Sequence, residues 1–168
     1  MGKLILVSGE NSSGKSAFAE KLLSEYNGKR YYIATMIPKT EENHIRIEKH
    51  KKQRQNLGCI TLEVPYSLSG QNIEPDSAVL LEDVSNLLGN NIFEKSSSAD
   101  AVFDDIMSLV ERCEVLIAVT ISGLGSGKYD AETDMYIESI VKINQMLYDK
   151  ASVSVVMRNG KAVYEKGE

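Results

Sequence analysis

Gly9-Glu10-Asn11-Ser12-Ser13-Gly14-Lys15-Ser16 follows the apolar run Leu4-Ile5-Leu6-Val7 and precedes a segment of helical period, and its reading decides the fold. The eight residues are a full G-x-x-x-x-G-K-[ST] pattern. Their types follow from the ligand such a loop takes. Glycines let backbone N–H groups turn inward around phosphate oxygens, and the following helix presents its positive N-terminal end to them. Lys15 is expected to reach the β- and γ-phosphates and to face solvent when the loop is empty. The Ser16 hydroxyl is expected to ligate Mg²⁺. Residues 3–8 read as a buried strand and residues 16–26 as a helix turning Phe18, Ala19, Leu22 and Leu23 inward. Strand, loop and helix together predict binding of a nucleoside triphosphate, ATP or GTP, through Gly9, Glu10, Asn11, Ser12, Ser13, Gly14, Lys15 and Ser16.

Outward from the loop, short apolar runs alternate with longer helix-period segments, the pattern of a parallel sheet covered by helices. Further strands are expected at residues 31–34, 60–64, 79–81 and 115–120, and helices at 41–53, 84–93, 101–113 and 131–148. Residues 152–157, the pair Asn159-Gly160 and residues 161–164 read as a β-hairpin with a type I′ turn. The hairpin is expected to be structural, with no part in catalysis. The fold class is α/β: a mostly parallel P-loop sheet of the RecA-like kind, flanked by helices and ending in an antiparallel edge hairpin. Loops are short and no Pro- or Ser-rich linker interrupts them, so residues 1–168 are expected to form one domain.

Composition narrows the function classes. The 168 residues carry 19 Lys+Arg against 24 Asp+Glu, a formal net charge of -5, which argues against a dedicated nucleic-acid binder. Two cysteines cannot make a disulfide framework, and no Cys/His spacing resembles a zinc site. No apolar run is long enough to span a bilayer, and the first is too short for a signal-peptide core. The chain reads as cytoplasmic.

Two further elements carry chemistry. Leu80-Leu81-Glu82-Asp83 ends an apolar strand with two carboxylates, where an acid that holds Mg²⁺ with Ser16 belongs. Asp83 also suits the N-cap of the helix that follows, so capping and metal binding are both open to the pair. The second element, residues 46–54, is a cationic helical run in an acidic chain, and a nucleotide's phosphates are the anion it would meet. His44 and His50 lie six residues apart, about 240° around a helix, so only one is expected at a given site. His50, between Lys49 and Lys51, is expected to stay neutral, as a nucleophilic imidazole must.

These motifs together resemble the bifunctional adenosylcobinamide kinase/adenosylcobinamide-phosphate guanylyltransferases of cobalamin biosynthesis. The likeness runs from Leu4-Ile5-Leu6-Val7-Ser8-Gly9 and its loop through Tyr32-Ile33-Ala34-Thr35 to the R-I-x-x-H-K-x-x-R pattern of Arg46, Ile47, His50, Lys51 and Arg54. It resumes at Ala78-Val79-Leu80-Leu81-Glu82, at Asn90 and at Asn144-Gln145. The resemblance implies a kinase step on the aminopropanol hydroxyl of the corrinoid and a second step in which His50 takes GMP from GTP. It also implies nucleotide contacts from Thr35, Met36, Lys51, Lys52, Gln53, Arg54, Glu63 and Glu82, and a homotrimer. The C-terminal half departs from the family's pattern: Ile121-Ser122-Gly123-Leu124-Gly125 stands where an Asn-Glu-Val-Gly type segment is usual. Asp134, Met135 and Tyr136 stand where the family has arginines. Two other readings are a P-loop kinase of different specificity and a non-catalytic nucleotide-binding paralogue. None of the five arginines lies in the 122–130 loop, where such a kinase would carry its clamp. No aromatic residue interleaves with the basic run, as nucleic-acid binding would require.

Overall fold

The structure, a computed structural model, describes residues 2–167; the side chain of Gln53 lies outside the described set. In chain order the elements are β1 (Lys3–Gly9), α1 (Lys15–Ser24), β2 (Lys29–Ala34), α2 (Glu41–Arg54), a 3-10 turn (Gln55–Leu57), β3 (Ile60–Glu63), β4 (Ser77–Glu82), α3 (Val84–Lys95), α4 (Ala99–Arg112), β5 (Val115–Ile121), α5 (Ala131–Lys150), β6 (Val153–Arg158) and β7 (Lys161–Lys166). The expected strand at 79–81 is longer because Ser77 and Ala78 are buried and join the ladder, opposite Lys29 and Arg30 of β2.

All seven strands form one sheet in the order β3-β2-β4-β5-β1-β6-β7. The first six run parallel, and β7 returns antiparallel along the edge of β6. A mostly parallel sheet with an antiparallel edge hairpin is therefore the architecture. Strands of such a sheet are covered on both faces, which explains why β1, β4 and β5 are near-continuous apolar runs. On one face Leu4, Leu6, Ile33, Val79, Leu81 and Leu116 pack under Leu87 of α3, Ile106 and Leu109 of α4, and Ile143 and Leu147 of α5. On the other, Val7, Tyr32, Leu80, Ile117 and Val155 pack under Ala19 and Leu23 of α1.

Helix α2 is the exception. It has almost no apolar face, and Arg54 is its one buried residue among those described. It owes its existence to the Thr40 cap on the Asn43 N–H, acidic residues in its first turn and basic ones in its last. Parallel α/β sheets bind ligands beyond the carboxyl ends of their strands, and α2 lies there, over the ends of β2 and β4.

Candidate active site

The phosphate loop is shaped by two glycines. A Cβ on Gly9 would come 2.5 Å from Ser13 Oγ and 2.8 Å from the Met157 carbonyl oxygen, so no side chain fits there. Gly14 (φ 98°) opens α1 in the left-handed region and carries no side chain to cap it. The other four α-helices among the described residues each begin with a side-chain cap, from Thr40, Asp83, Ser98 and Asp130. The first N–H groups of α1 are thus left for an anion. Ser13 Oγ is buried without a protein partner in the same loop. Gly9 to Ser13 line one groove with Arg158 and Asn159, and Ser12 to Ser16 line another with Glu20.

Lys15 differs from expectation. Its ammonium folds back to donate to the Glu10 carbonyl at 2.6 Å and is half-buried, not fully solvent-facing. Burial lowers its pKa, opposed by Asp83 and, more weakly, by Glu82. The hairpin also does more than close the sheet. The N–H of Gly160 donates to the Ser13 carbonyl at 2.9 Å, and Gly14 packs on Gly160 itself. The turn, expected to be structural, is also tied to the phosphate loop and buttresses it.

A second cavity of about 100 Å³ lies between the ends of β2 and β4 and helix α2. It is lined by Ser16, Tyr32, Ala34, Met36, Arg46, Ile47, His50, Arg54, Glu82, Asp83 and Asn86. Helical geometry brings Arg46, His50 and Arg54 together, because positions four apart share a face. His44 is on the other side of α2, with Lys49 and Lys52. The guanidinium of Arg54 lies 3.6 Å from the centre of the Tyr32 ring, only 5% of the residue is exposed, and its Nε has no protein acceptor. Among the described residues no carboxylate pairs with this buried guanidinium, which leaves it able to take an anionic ligand. His50 has a pKa below the usual histidine value. Burial is the main cause, with Arg54, Arg46 and Lys49 adding to it against the pull of Glu82. The sequence argument invoked Lys49 and Lys51; the fold puts desolvation and the two arginines ahead of Lys49.

Other expected site residues stand apart from this cavity. Lys51 pairs with Glu48 at 3.6 Å and with Glu63 at 3.8 Å, on the outside of the helix. Lys52 lies beside His44. Thr35 is fully buried. Its hydroxyl donates to the Asp83 carbonyl and accepts from the Asp83 N–H, each at 2.9 Å, so it holds the turn that carries the two acids. Asn90 clips that turn region from behind, donating to the carbonyls of Thr35 and Pro65.

The two acids diverge. Asp83 is half-buried, caps α3 through the Asn86 N–H at 2.7 Å, and has its pKa pushed up to about 6, chiefly by desolvation. It acts on Lys15 more strongly than Glu82 does. Glu82 instead turns to Tyr32, whose hydroxyl donates to it, and to His50. Among the described residues no three His, Cys, Asp or Glu side chains group to hold a metal alone. A serine hydroxyl beside a carboxylate is nonetheless the hard-oxygen donor set that Mg²⁺ takes when water and phosphates complete its shell. Arg46, one turn before His50, is where helical spacing puts it, whereas Tyr32 was absent from the expected contacts. Tyr32 was hidden because a tyrosine in an apolar strand reads as core, although strand alternation puts its side chain on the same face as Ala34, the partner of Glu82.

Comparison with known proteins bears on the fold and the family. Two solved structures share the fold. That of Project ID PH0250 from Pyrococcus horikoshii OT3 has a TM-score of 0.57 at 12% identity, covering 99% of this chain and 87% of that one. An ATPase of the type III secretion system of pathogenic bacteria has a TM-score of 0.55 at 11% identity, covering 93% and 51%. The bifunctional adenosylcobalamin biosynthesis protein CobU of Escherichia coli K12 is 29% identical over 140 residues, 74% of this chain and 77% of that protein. Residues 5–164 match the model of a transferase family, and this chain belongs to it: the cobinamide kinase / cobinamide phosphate guanyltransferase family.

Proposed function

We propose that the chain phosphorylates a cobinamide hydroxyl and then transfers GMP from GTP to the product through a covalent guanylyl-histidine at His50. The observation that carries this reading is a half-buried imidazole, depressed in pKa, flanked by Arg46 and Arg54 in a cavity that reaches Ser16 of the phosphate loop. In the kinase step the loop N–H groups and Lys15 hold the β- and γ-phosphates while the corrinoid hydroxyl attacks the γ-phosphorus. The bond to the β–γ bridging oxygen breaks, the nucleoside diphosphate leaves with the electron pair, and the hydroxyl proton passes to solvent. Ser16 and Asp83 would hold Mg²⁺, which neutralises developing phosphate charge. In the transferase step an imidazole nitrogen attacks the α-phosphorus and pyrophosphate leaves with the bonding electron pair. Arg54 and Arg46 offset the charge on the α-phosphate oxygens, in a site where water is scarce and such contacts are strong. The phosphate of the corrinoid then displaces histidine from phosphorus.

The test is incubation with α-labelled GTP and Mg²⁺, followed by a search for base-stable, acid-labile label on the protein. His50→Ala is expected to abolish labelling and His44→Ala to keep it. Wild-type protein that takes no label, even with cobinamide phosphate present, overturns the transferase reading.

A further inference from the structure

We infer that Glu82, held by Tyr32, is a positioning residue for His50: its carboxylate accepts the Nδ1–H of the imidazole and leaves Nε2 as the attacking nitrogen. The inference rests on the covalent-histidine reading and deepens it. Glu82 Oε2 lies 3.9 Å from His50 Nδ1, with the Glu82 side chain 9% exposed and that of His50 30%. His50 Nδ1 and Glu82 Oε1 are both buried without a hydrogen-bond partner. One is a nitrogen that can donate and the other an oxygen that can accept, and the carboxylate that carries it is the acid that approaches Nδ1. Leaving such groups unmatched is costly, and closing the 3.9 Å gap between Nδ1 and the carboxylate would satisfy the imidazole. Hydrogen bonds of this kind are commonly long in ligand-free sites and shorten in the reacting complex.

Tyr32 makes the arrangement rigid. Its hydroxyl donates to Glu82 Oε2 and its ring lies under the Arg54 guanidinium. One side chain therefore supports both the carboxylate behind the imidazole and a cation at the phosphate. The neighbouring acid serves the other end of the site, since Asp83 is directed to Lys15 and the cap of α3. With Nδ1–H on Glu82, the Nε2 lone pair attacks the α-phosphorus, a P–N bond forms, the bond to the bridging oxygen breaks, and pyrophosphate takes the electron pair. The imidazolium that results keeps its Nδ1 proton against the carboxylate. When the corrinoid phosphate oxygen attacks in turn, the P–N electrons return to Nε2 and the neutral Nδ1–H tautomer is restored.

Two measurements test this. ¹⁵N NMR of His50 in the unmodified protein, above its titration range, is expected to show the Nδ1–H tautomer, and Glu82→Gln is expected to lose that preference. Single-turnover labelling from α-labelled GTP is expected to slow about 100-fold in Glu82→Gln and about 10-fold in Tyr32→Phe, the scale on which orienting partners of reactive histidines act. The GTP concentration for half-saturation is expected to stay within about two-fold, which separates positioning from direct nucleotide contact. A wild-type Nε2–H tautomer overturns the inference. So does a Glu82→Gln variant that alters half-saturation alone, or neither quantity. If Glu82→Gln does not fold, Tyr32→Phe and the wild-type tautomer decide. If wild-type protein takes no label, the covalent reading fails by itself, while the tautomer still tells whether Glu82 orients the ring.

Discussion

Gly160→Val probes the contact between the hairpin and the phosphate loop. Asn159 and Gly160 have φ of 51° and 78°, as a type I′ turn demands. A Cβ on Gly160 meets nothing within 4 Å, so steric overlap contributes no cost. What remains is the left-handed backbone, about 1–2 kcal/mol for an L-residue and at the upper end for a β-branched one. If the turn relaxes to escape that strain, the 2.9 Å bond from Gly160 N–H to the Ser13 carbonyl weakens, a further loss of about 1 kcal/mol. Together these amount to roughly 2–3 kcal/mol, a fall in Tm of about 4–10 °C for a chain of this size. The Ser13 carbonyl anchors the loop, so GTP–Mg²⁺ affinity measured by calorimetry well below Tm is expected to drop about three- to ten-fold. A lowered Tm with unchanged affinity would refute the buttress and return the hairpin to a purely structural role. An unchanged Tm would refute the strain argument itself.

Lys15→Ala is expected to weaken triphosphate binding roughly 100-fold, the weight of charge-assisted phosphate contacts, while Tm stays within about 2 °C. Among the described residues its ammonium makes one hydrogen bond, an exposed one to the Glu10 carbonyl, and titration with GTP and ATP checks the affinity. Asp83→Asn keeps an N-cap, since Asn accepts from the Asn86 N–H as well as Asp does, but loses the carboxylate beside Lys15. The folded pKa of Asp83 is raised from 3.8 to about 6, so its contribution to stability is full below pH 3.8 and lost as pH rises through about 6. The variant is therefore expected to melt about 2–5 °C higher than wild type at pH 8, to match it near pH 4, and to need about ten-fold more Mg²⁺ for GTP binding. Melting curves across that pH range and a Mg²⁺ titration read both effects.

Local order was legible in the residues alone. The phosphate loop declares itself because its chemistry is carried by consecutive positions, and the Asn159-Gly160 turn because only a few residues accept two positive φ angles in succession. The apolar runs of β1, β4 and β5 announce a sheet covered on both faces. Helical geometry also separates His44 from His50, and the spacing of Arg46 and Arg54 one turn either side of His50 puts the three on one face. Tertiary structure decided everything that depends on which face of one element meets which face of another. Glu82 and Asp83 are adjacent in sequence and equivalent in composition, yet strand and helix geometry send one to Tyr32 and His50 and the other to α3 and Lys15. Lys51 and Arg54 belong to the same basic run, but the first remains on the surface with Glu63 while the second is buried on Tyr32 with its Nε unpartnered among the described residues. The sheet order that sets Gly160 against Ser13 joins residues nearly the whole chain apart. Spacing along the chain fixes angle around an element, whereas desolvation, the main cause of the lowered pKa of His50, exists only once the elements have packed.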